Sequence, residues 1–225
     1  MRLQTATSVA AILISALAIT FVTSDRAVAS GLGVKVGMAF AKQDYSYSNA
    51  SFQFDNDYRR GLSAGLFIEQ PIVPVLSVRA EGMFITKGFK VSVLQTDYNG
   101  TPIPRTADYE YGIDYLSLDF VGKASLPTGT YVMAGPRLDV KLNTEDNNVQ
   151  LLPTDLEDRF RSTIFGWTLG VGQSFGTPTG VGFFVEGQLF LDQDELYDRS
   201  NGGITTGSLT TIKNKSFALF AGLRF

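Results

Sequence analysis

The sequence predicts an all-β fold, an eight-stranded antiparallel up-and-down transmembrane β-barrel. Three observations lead there. Apolar residues recur at every second position in eight separate runs, the links between runs alternate between long and short, and no stretch after residue 29 approaches the about 18 consecutive apolar residues a membrane helix needs. A chain with this pattern crosses a membrane as strands. Closing the sheet leaves no backbone N–H or C=O unpaired away from water.

The N-terminus has a different character. Arg2 precedes an apolar stretch from Ala6 to Val22, and Ala27-Val28-Ala29 has the small-x-small form of a signal-peptidase site. Residues 1–29 therefore read as a signal peptide cleaved between Ala29 and Ser30, and residues 30–225 as one outer-membrane β-barrel domain of an exported protein. An uncleaved membrane anchor is the alternative; the short apolar stretch argues against it.

Composition excludes several function classes. The chain carries 19 Lys+Arg and 22 Asp+Glu, a mildly acidic balance that offers nothing to nucleic acid. There is no Cys, so neither a disulfide, a thiolate metal site nor a lipid-bearing cysteine is available. There is no His either.

The runs follow in order. The first, GLGVKVGMAFA, sets Leu32, Val34, Val36, Met38 and Phe40 against Gly33, Lys35, Gly37 and Ala39. The second sets Leu62, Ala64, Leu66 and Ile68 against Ser63, Gly65, Phe67 and Glu69. The third sets Leu76, Val78, Ala80, Gly82 and Phe84 against Ser77, Arg79, Glu81, Met83 and Ile85. In the fourth, Leu116, Leu118, Phe120 and Gly122 oppose Tyr115, Ser117, Asp119, Val121 and Lys123. In the fifth, Val132, Ala134, Pro136, Leu138, Val140 and Leu142 oppose Tyr131, Met133, Gly135, Arg137, Asp139 and Lys141. Pro136 has no N–H to give to a ladder, so a bulge or a local break is expected there.

The sixth run sets Phe165, Trp167, Leu169 and Val171 against Gly166, Thr168, Gly170 and Gly172. The seventh sets Val181, Phe183, Val185, Gly187, Leu189 and Leu191 against Gly182, Phe184, Glu186, Gln188 and Phe190. The last, FALFAGLRF, has Phe217, Leu219, Ala221, Leu223 and Phe225 on one side and Ala218, Phe220, Gly222 and Arg224 on the other. The links 70–74, 126–130 and 176–180 are short and rich in Pro or Gly. The segments 42–58, 88–110, 143–162 and 192–212 are long and polar. Outer-membrane barrels show this asymmetry, with short periplasmic turns and longer external loops, which puts both termini on the periplasmic side.

Alternation alone does not say which face is outside, because a soluble lipocalin-like barrel alternates equally and turns its apolar face inward. The charged face decides. It is also rich in Gly, which suits a crowded interior, and its charges are mixed. Lys35, Arg79, Lys123, Arg137 and Arg224 balance Glu69, Glu81, Asp119, Asp139 and Glu186, and together they form the expected interior network. Aromatics near the ends of the apolar face, among them Phe40, Phe84, Phe165, Trp167 and Phe225, suit interfacial girdles.

Residues 115–142, YLSLDFVGKASLPTGTYVMAGPRLDVKL, resemble the fourth and fifth strands of the PorT-like outer-membrane β-barrel proteins through Tyr115, Leu116, Ala134, Gly135 and Pro136. GLGVKVGMAF and FAGLRF are similar to that family's first and last strands. Leu118-Asp119 stands where a Pro-containing apolar stretch is expected. The resemblance, and a likeness to the small OmpX-like barrels, implies an integral outer-membrane protein of a Gram-negative bacterium, often without a defined activity. The terminal Phe225 is similar to the C-terminal aromatic that bacterial barrel-assembly machinery recognises.

The expected role is structural or surface-interacting, in adhesion or envelope integrity, with no catalytic residue, cofactor or metal. The expected partners are outer-membrane lipid and lipopolysaccharide, the barrel-assembly machinery during biogenesis, and an extracellular protein bound through the loops of a monomer. A small passive pore is one alternative, set against an interior just wide enough for side chains to fill. A lipid-modifying barrel enzyme is another. Barrel deacylases, palmitoyltransferases and omptin-type proteases use a His that this chain lacks, leaving only Ser117 or Ser77 with Lys123 or Arg79. Acidic clusters in the long segments, including LDQDELYD, lack the Gly and distant Glu of a calcium loop and read as solvated loop. KQDYSYSNASFQFDNDY alternates in a way that continues the first two strands as a hairpin, whose edge suits β-augmentation.

Overall fold

The computed structural model describes residues 31–47, 57–96, 102–146, 161–176, 181–196 and 209–225. It contains β1 (Gly31–Tyr47), β2 (Asp57–Val73), β3 (Leu76–Thr96), β4 (Pro102–Ser125), β5 (Thr130–Asp146), β6 (Thr163–Phe175), β7 (Gly182–Asp192) and β8 (Leu209–Arg224). Each strand pairs antiparallel with its sequence neighbours, and β1 pairs with β8 to close the barrel. The closing seam runs from Gly33 opposite Arg224 to Tyr47 opposite Leu209. Beyond it, Phe225 N–H donates to the Leu32 carbonyl at 2.7 Å, so the closure extends past the last strand residue.

The side-chain period of two sends each run's apolar set outward. Leu66 is 62% exposed and Leu219 58%, whereas Arg79 and Arg137 inside are 1% exposed. A soluble barrel has the reverse arrangement, because a large exposed apolar band is unstable in water. The lipocalin-like alternative therefore fails on which face is buried. Inside, the bulk of Phe67, Met83, Tyr115, Tyr131, Phe184, Phe190 and Phe220 is accommodated by facing glycines. Gly33 lies against the Phe67 ring, Gly172 against Tyr131 and Gly222 against Phe184.

One end of the barrel carries the short turns. Pro74 and Val75 connect β2 to β3, and Ser125 N–H donates to the Val75 carbonyl at 2.8 Å. Between β4 and β5, Leu126 N–H donates to Thr130 at 2.8 Å, and Gly129 takes a φ of 85° that a residue with a Cβ resists. The other end, here the hairpin end, departs from expectation. Residues 88–96 and 102–110 are strand rather than polar loop: β3 and β4 stay paired as far as Thr96 opposite Pro102. Val91, Val93, Ala107 and Tyr109 maintain strand-forming alternation through a segment whose overall composition is polar. Likewise β1 runs to Tyr47, β5 to Asp146, and β8 starts at Leu209. The proposed tip of the first hairpin and the acidic residues Asp55, Asp155, Glu157, Asp158 and Asp198 lie outside the described residues.

At Pro136 the β4–β5 ladder is interrupted between Asp119 opposite Arg137 and Gly122 opposite Ala134, with no change of register. The outcome is a local break rather than a bulge. Pro136 keeps its place opposite Trp167 on the β6 side. A true register shift occurs in β2–β3 between Tyr58 and Ser63, beside Gly88. There the Arg59 side chain lies over Gly88 and Gly112, two residues paired across β3 and β4.

Candidate functional site

The lumen is the part of the molecule where polar groups converge, and it divides into two clusters. At the turn end, alternation places Lys35 on β1, Glu69 on β2, Arg79 and Glu81 on β3, Lys123 on β4 and Glu186 on β7, all facing inward and buried. Arg79 holds the cluster together. Its guanidinium donates to Glu69 Oε2 from Nε at 3.0 Å and from Nη2 at 2.8 Å, while Nη1 donates to Glu81 at 3.1 Å and to Glu186 at 2.8 Å. This planar fork suits several carboxylates at once, which an ammonium group cannot match.

Lys35 Nζ bridges Glu81 at 2.5 Å and Glu186 at 3.2 Å, and Lys123 Nζ donates to both Glu69 oxygens at 3.0 Å. Tyr131 O–H donates to Glu186 at 2.7 Å, and Gln188 Nε2 donates to Glu186 at 2.8 Å and Glu81 at 3.1 Å. The three cations and three carboxylates cancel. Aromatic faces complete the shell, with the Arg79 guanidinium 4.3 Å from the Phe67 ring centre and the Lys123 ammonium 4.2 Å from that of Tyr131.

Arg224 stands half-buried at the rim beside this cluster. With Phe67, Arg79, Lys123 and Phe184 it bounds a cavity of about 20 Å³, room for about one water molecule.

Toward the hairpin end lies a second cluster. Lys87 Nζ donates to Asp139 Oδ2 at 2.5 Å and lies 3.7 Å from Asp192. Arg137 pairs with Asp192 and, at 3.5 Å, with Asp139. Thr168 O–H donates to Asp119 at 3.2 Å. Lys87 and Arg137 also sit over the Phe190 ring.

Sequence reasoning identified ten interior charges, and the lumen brings nine of them into these two clusters with Arg224 at the rim. It missed Lys87 and Asp192. Both lie one period-two step beyond where a run was ended, Lys87 after Ile85 and Asp192 after Phe190. Extending each alternation by that step finds them. Asp192 was assigned to a solvated loop; it is instead a buried strand residue, because β7 continues through it. The residues after it do not form a loop of free acids either: Asp194 accepts from Phe165 N–H at 2.9 Å and lies 3.8 Å from Arg161, and Leu196 is buried in the core.

The serine–lysine arrangements do not assemble as catalytic pairs. Ser77 O–H and Lys123 Nζ both donate to Glu69, so the two side chains meet the carboxylate rather than each other. Ser117 is opposite Asp139 and Met83 in the ladders, away from Lys123. Among the described residues no group of His, Cys, Asp and Glu has the geometry to hold a metal ion.

Solved structures similar to the chain include Ail, the attachment invasion locus protein of Yersinia pestis, at 10% identity, covering 87% of this chain and 99% of that one with a TM-score of 0.41. OprG from Pseudomonas aeruginosa shares 13% identity over 88% and 96% of the two chains, with a TM-score of 0.47. The outer membrane protease OmpT from Escherichia coli shares 13% over 87% and 96%, with a TM-score of 0.43. No curated protein sequence matches. The outer membrane protein beta-barrel domain family matches residues 24–191, from ahead of β1 to the penultimate residue of β7, and β8 supplies the strand that closes the sheet. The chain belongs to the outer membrane protein beta-barrel domain family.

Proposed function

We propose that this protein is a rigid barrel that presents its hairpins at the cell surface, in adhesion or envelope integrity, rather than a channel or an enzyme. The observation that carries the reading is the β3–β4 hairpin. A tilted strand of about 9–11 residues spans a bilayer, whereas β3 has 21 residues and β4 has 24. The surplus of about ten residues projects up to about 33 Å along the strand direction, which spanning alone does not require. The lumen supports the rest of the reading, since a fully paired Arg79 plug favours stiffness over transport.

In this reading the hairpin end faces outward and both termini are periplasmic. Residues 1–29 direct export and are removed before Ser30. Phe225, an exposed aromatic at the turn end of the closing seam, engages the barrel-assembly machinery. The barrel is monomeric, of PorT-like or small OmpX-like type, takes no cofactor, and meets outer-membrane lipid and lipopolysaccharide on its wall and an extracellular protein through its hairpins. The absence of His removes the usual base of barrel enzymes.

Shortening the hairpin by residues 91–106 tests the role. Cells carrying the shortened barrel are expected to lose surface attachment or to become leaky to a dye normally excluded, with the barrel still assembled. Unchanged attachment and unchanged dye exclusion would sink the proposal.

A further inference from the structure

We propose that the turn-end mouth of the lumen binds one small monovalent anion, of the size of chloride, in the cavity bounded by Arg79, Lys123 and Arg224. The cavity measures about 20 Å³, and these three cationic side chains share its wall with Ser174 and the rings of Phe67 and Phe184. Among the described residues, no carboxylate lines it. Glu69 accepts hydrogen bonds from Arg79 and Lys123 elsewhere in the cluster and is not part of the wall. Arg79 and Lys123 are 1% and 4% exposed, so bulk water and salt screen their charges little.

Both buried cations have a donor to give. A guanidinium carries five N–H groups. Arg79 directs one from Nε and one from Nη2 to Glu69, and two from Nη1 to Glu81 and Glu186, which leaves one on Nη2. An ammonium carries three, of which Lys123 uses two on the oxygens of Glu69. Positive charges that converge on one volume repel, and an anion among them is attracted by all of them. A water molecule accepts the same N–H groups but leaves that repulsion in place. Size then decides among anions. A volume with room for about one water takes a single ion and excludes phosphate, sulfate and organic carboxylates. An anion held there joins Arg224 on the closing strand β8 to Arg79 on β3, Lys123 on β4 and Ser174 near the end of β6.

The inference needs the barrel and its lumen but not surface display, so either reading can fail while the other stands. Purified barrel in a neutral detergent is titrated with sodium chloride at constant ionic strength, with sodium gluconate making up the difference, and binding is read from the broadening of the chlorine NMR line. Saturable broadening that fits one site is expected in the wild type. Arg224→Gln is expected to weaken binding about tenfold, the loss of one charge-assisted hydrogen bond. Arg224→Lys is expected to retain it, since a spherical anion needs a point charge rather than a planar fork. Bromide is expected to displace chloride, and sulfate at the same ionic strength to leave it bound. Broadening that does not saturate overturns the proposal, as does equal affinity in the wild type and Arg224→Gln. Displacement by sulfate as readily as by bromide assigns the effect to an open cationic surface and overturns the cavity. If Arg224→Gln does not assemble, the wild type decides through the bromide and sulfate competitions.

Discussion

Arg79 and Glu186 are 107 positions apart in the sequence and 2.8 Å apart in the lumen. They project from β3 and β7, which face each other across an eight-stranded barrel. Because the same guanidinium also reaches Glu69 and Glu81, one side chain ties the β2 and β3 wall to the opposite one. A sheet closed by backbone hydrogen bonds alone is free to ovalise. This tie crosses the direction in which it would flatten.

Arg79→Ala leaves the three carboxylates Glu69, Glu81 and Glu186 facing two cations of their cluster, Lys35 and Lys123. Removing one partner of a buried ion pair destabilises by about 3–5 kcal/mol, because the other charge stays buried and uncompensated. The urea midpoint of the barrel refolded in lipid vesicles is expected to fall accordingly, and Arg79→Lys to recover only part of it, since an ammonium does not reproduce the fork. An Arg79→Ala barrel as stable as wild type would show that the tie contributes nothing.

The fold was legible in the sequence because a closed barrel needs only strand count, parity and link length, and all three are local. Parity assigned Leu66 and Leu219 outward and Arg79 and Glu186 inward without any knowledge of pairing. The pairings themselves were not legible. Whether Lys35 meets Glu81 or Glu69 depends on the stagger of each strand against the next, which the alternation does not encode. Lys87 and Asp192 were lost for a different reason: each precedes a Gly-containing or acidic segment whose composition suggests a loop, and the strand continues because its neighbours hold it. The length of β3 and β4 was hidden by the same compositional signal.

The paired lumen has a consequence for conduction. With the turn-end cluster in place, purified barrel in a planar bilayer is expected to give near-zero current. The double variant Arg79→Ala, Glu186→Ala removes the tie from both walls and is expected to give measurable currents. Steady, reproducible channels from the wild-type protein would reverse the reading of the lumen as a plug.

Lys87 is predicted to be as sensitive as Arg79. Lys87→Met leaves Asp119, Asp139 and Asp192 with Arg137 alone, and a loss of about 3 kcal/mol is expected. Adding Asp139→Asn removes the carboxylate that Lys87 touches at 2.5 Å, so part of the loss is expected to return. A double-mutant cycle in urea measures the difference. Strict additivity of the two substitutions would mean that the contact carries no coupling.

Two glycines separate interior packing from backbone freedom. At Gly222 an added Cβ runs into the Phe184 ring and the Val34 carbonyl, whereas at Gly122, on the outward face, its nearest neighbour is the Ala134 carbonyl oxygen at 3.9 Å. Gly222→Ala is expected to destabilise by about 1–3 kcal/mol through overpacking. Gly122→Ala is expected to be neutral or to stabilise by up to about 1 kcal/mol, because it restricts the unfolded chain. Unfolding midpoints that move in the same direction for both would contradict this division of faces.

The outward face gives the sharpest test of the environment. Leu219 on β8 and Leu66 on β2 are more than half exposed, and in water a charge at such a position changes stability by no more than about 0.5 kcal/mol. In a bilayer the same change takes a cation into hydrocarbon, with a destabilisation of about 2–4 kcal/mol near the midplane that fades toward the interfaces. Leu219→Arg and Leu66→Arg are therefore expected to lower the urea midpoint in lipid vesicles. A charge close to the existing cations, such as Phe40→Arg, is expected to matter less than either. A flat profile across these three positions would mean that this wall does not face lipid.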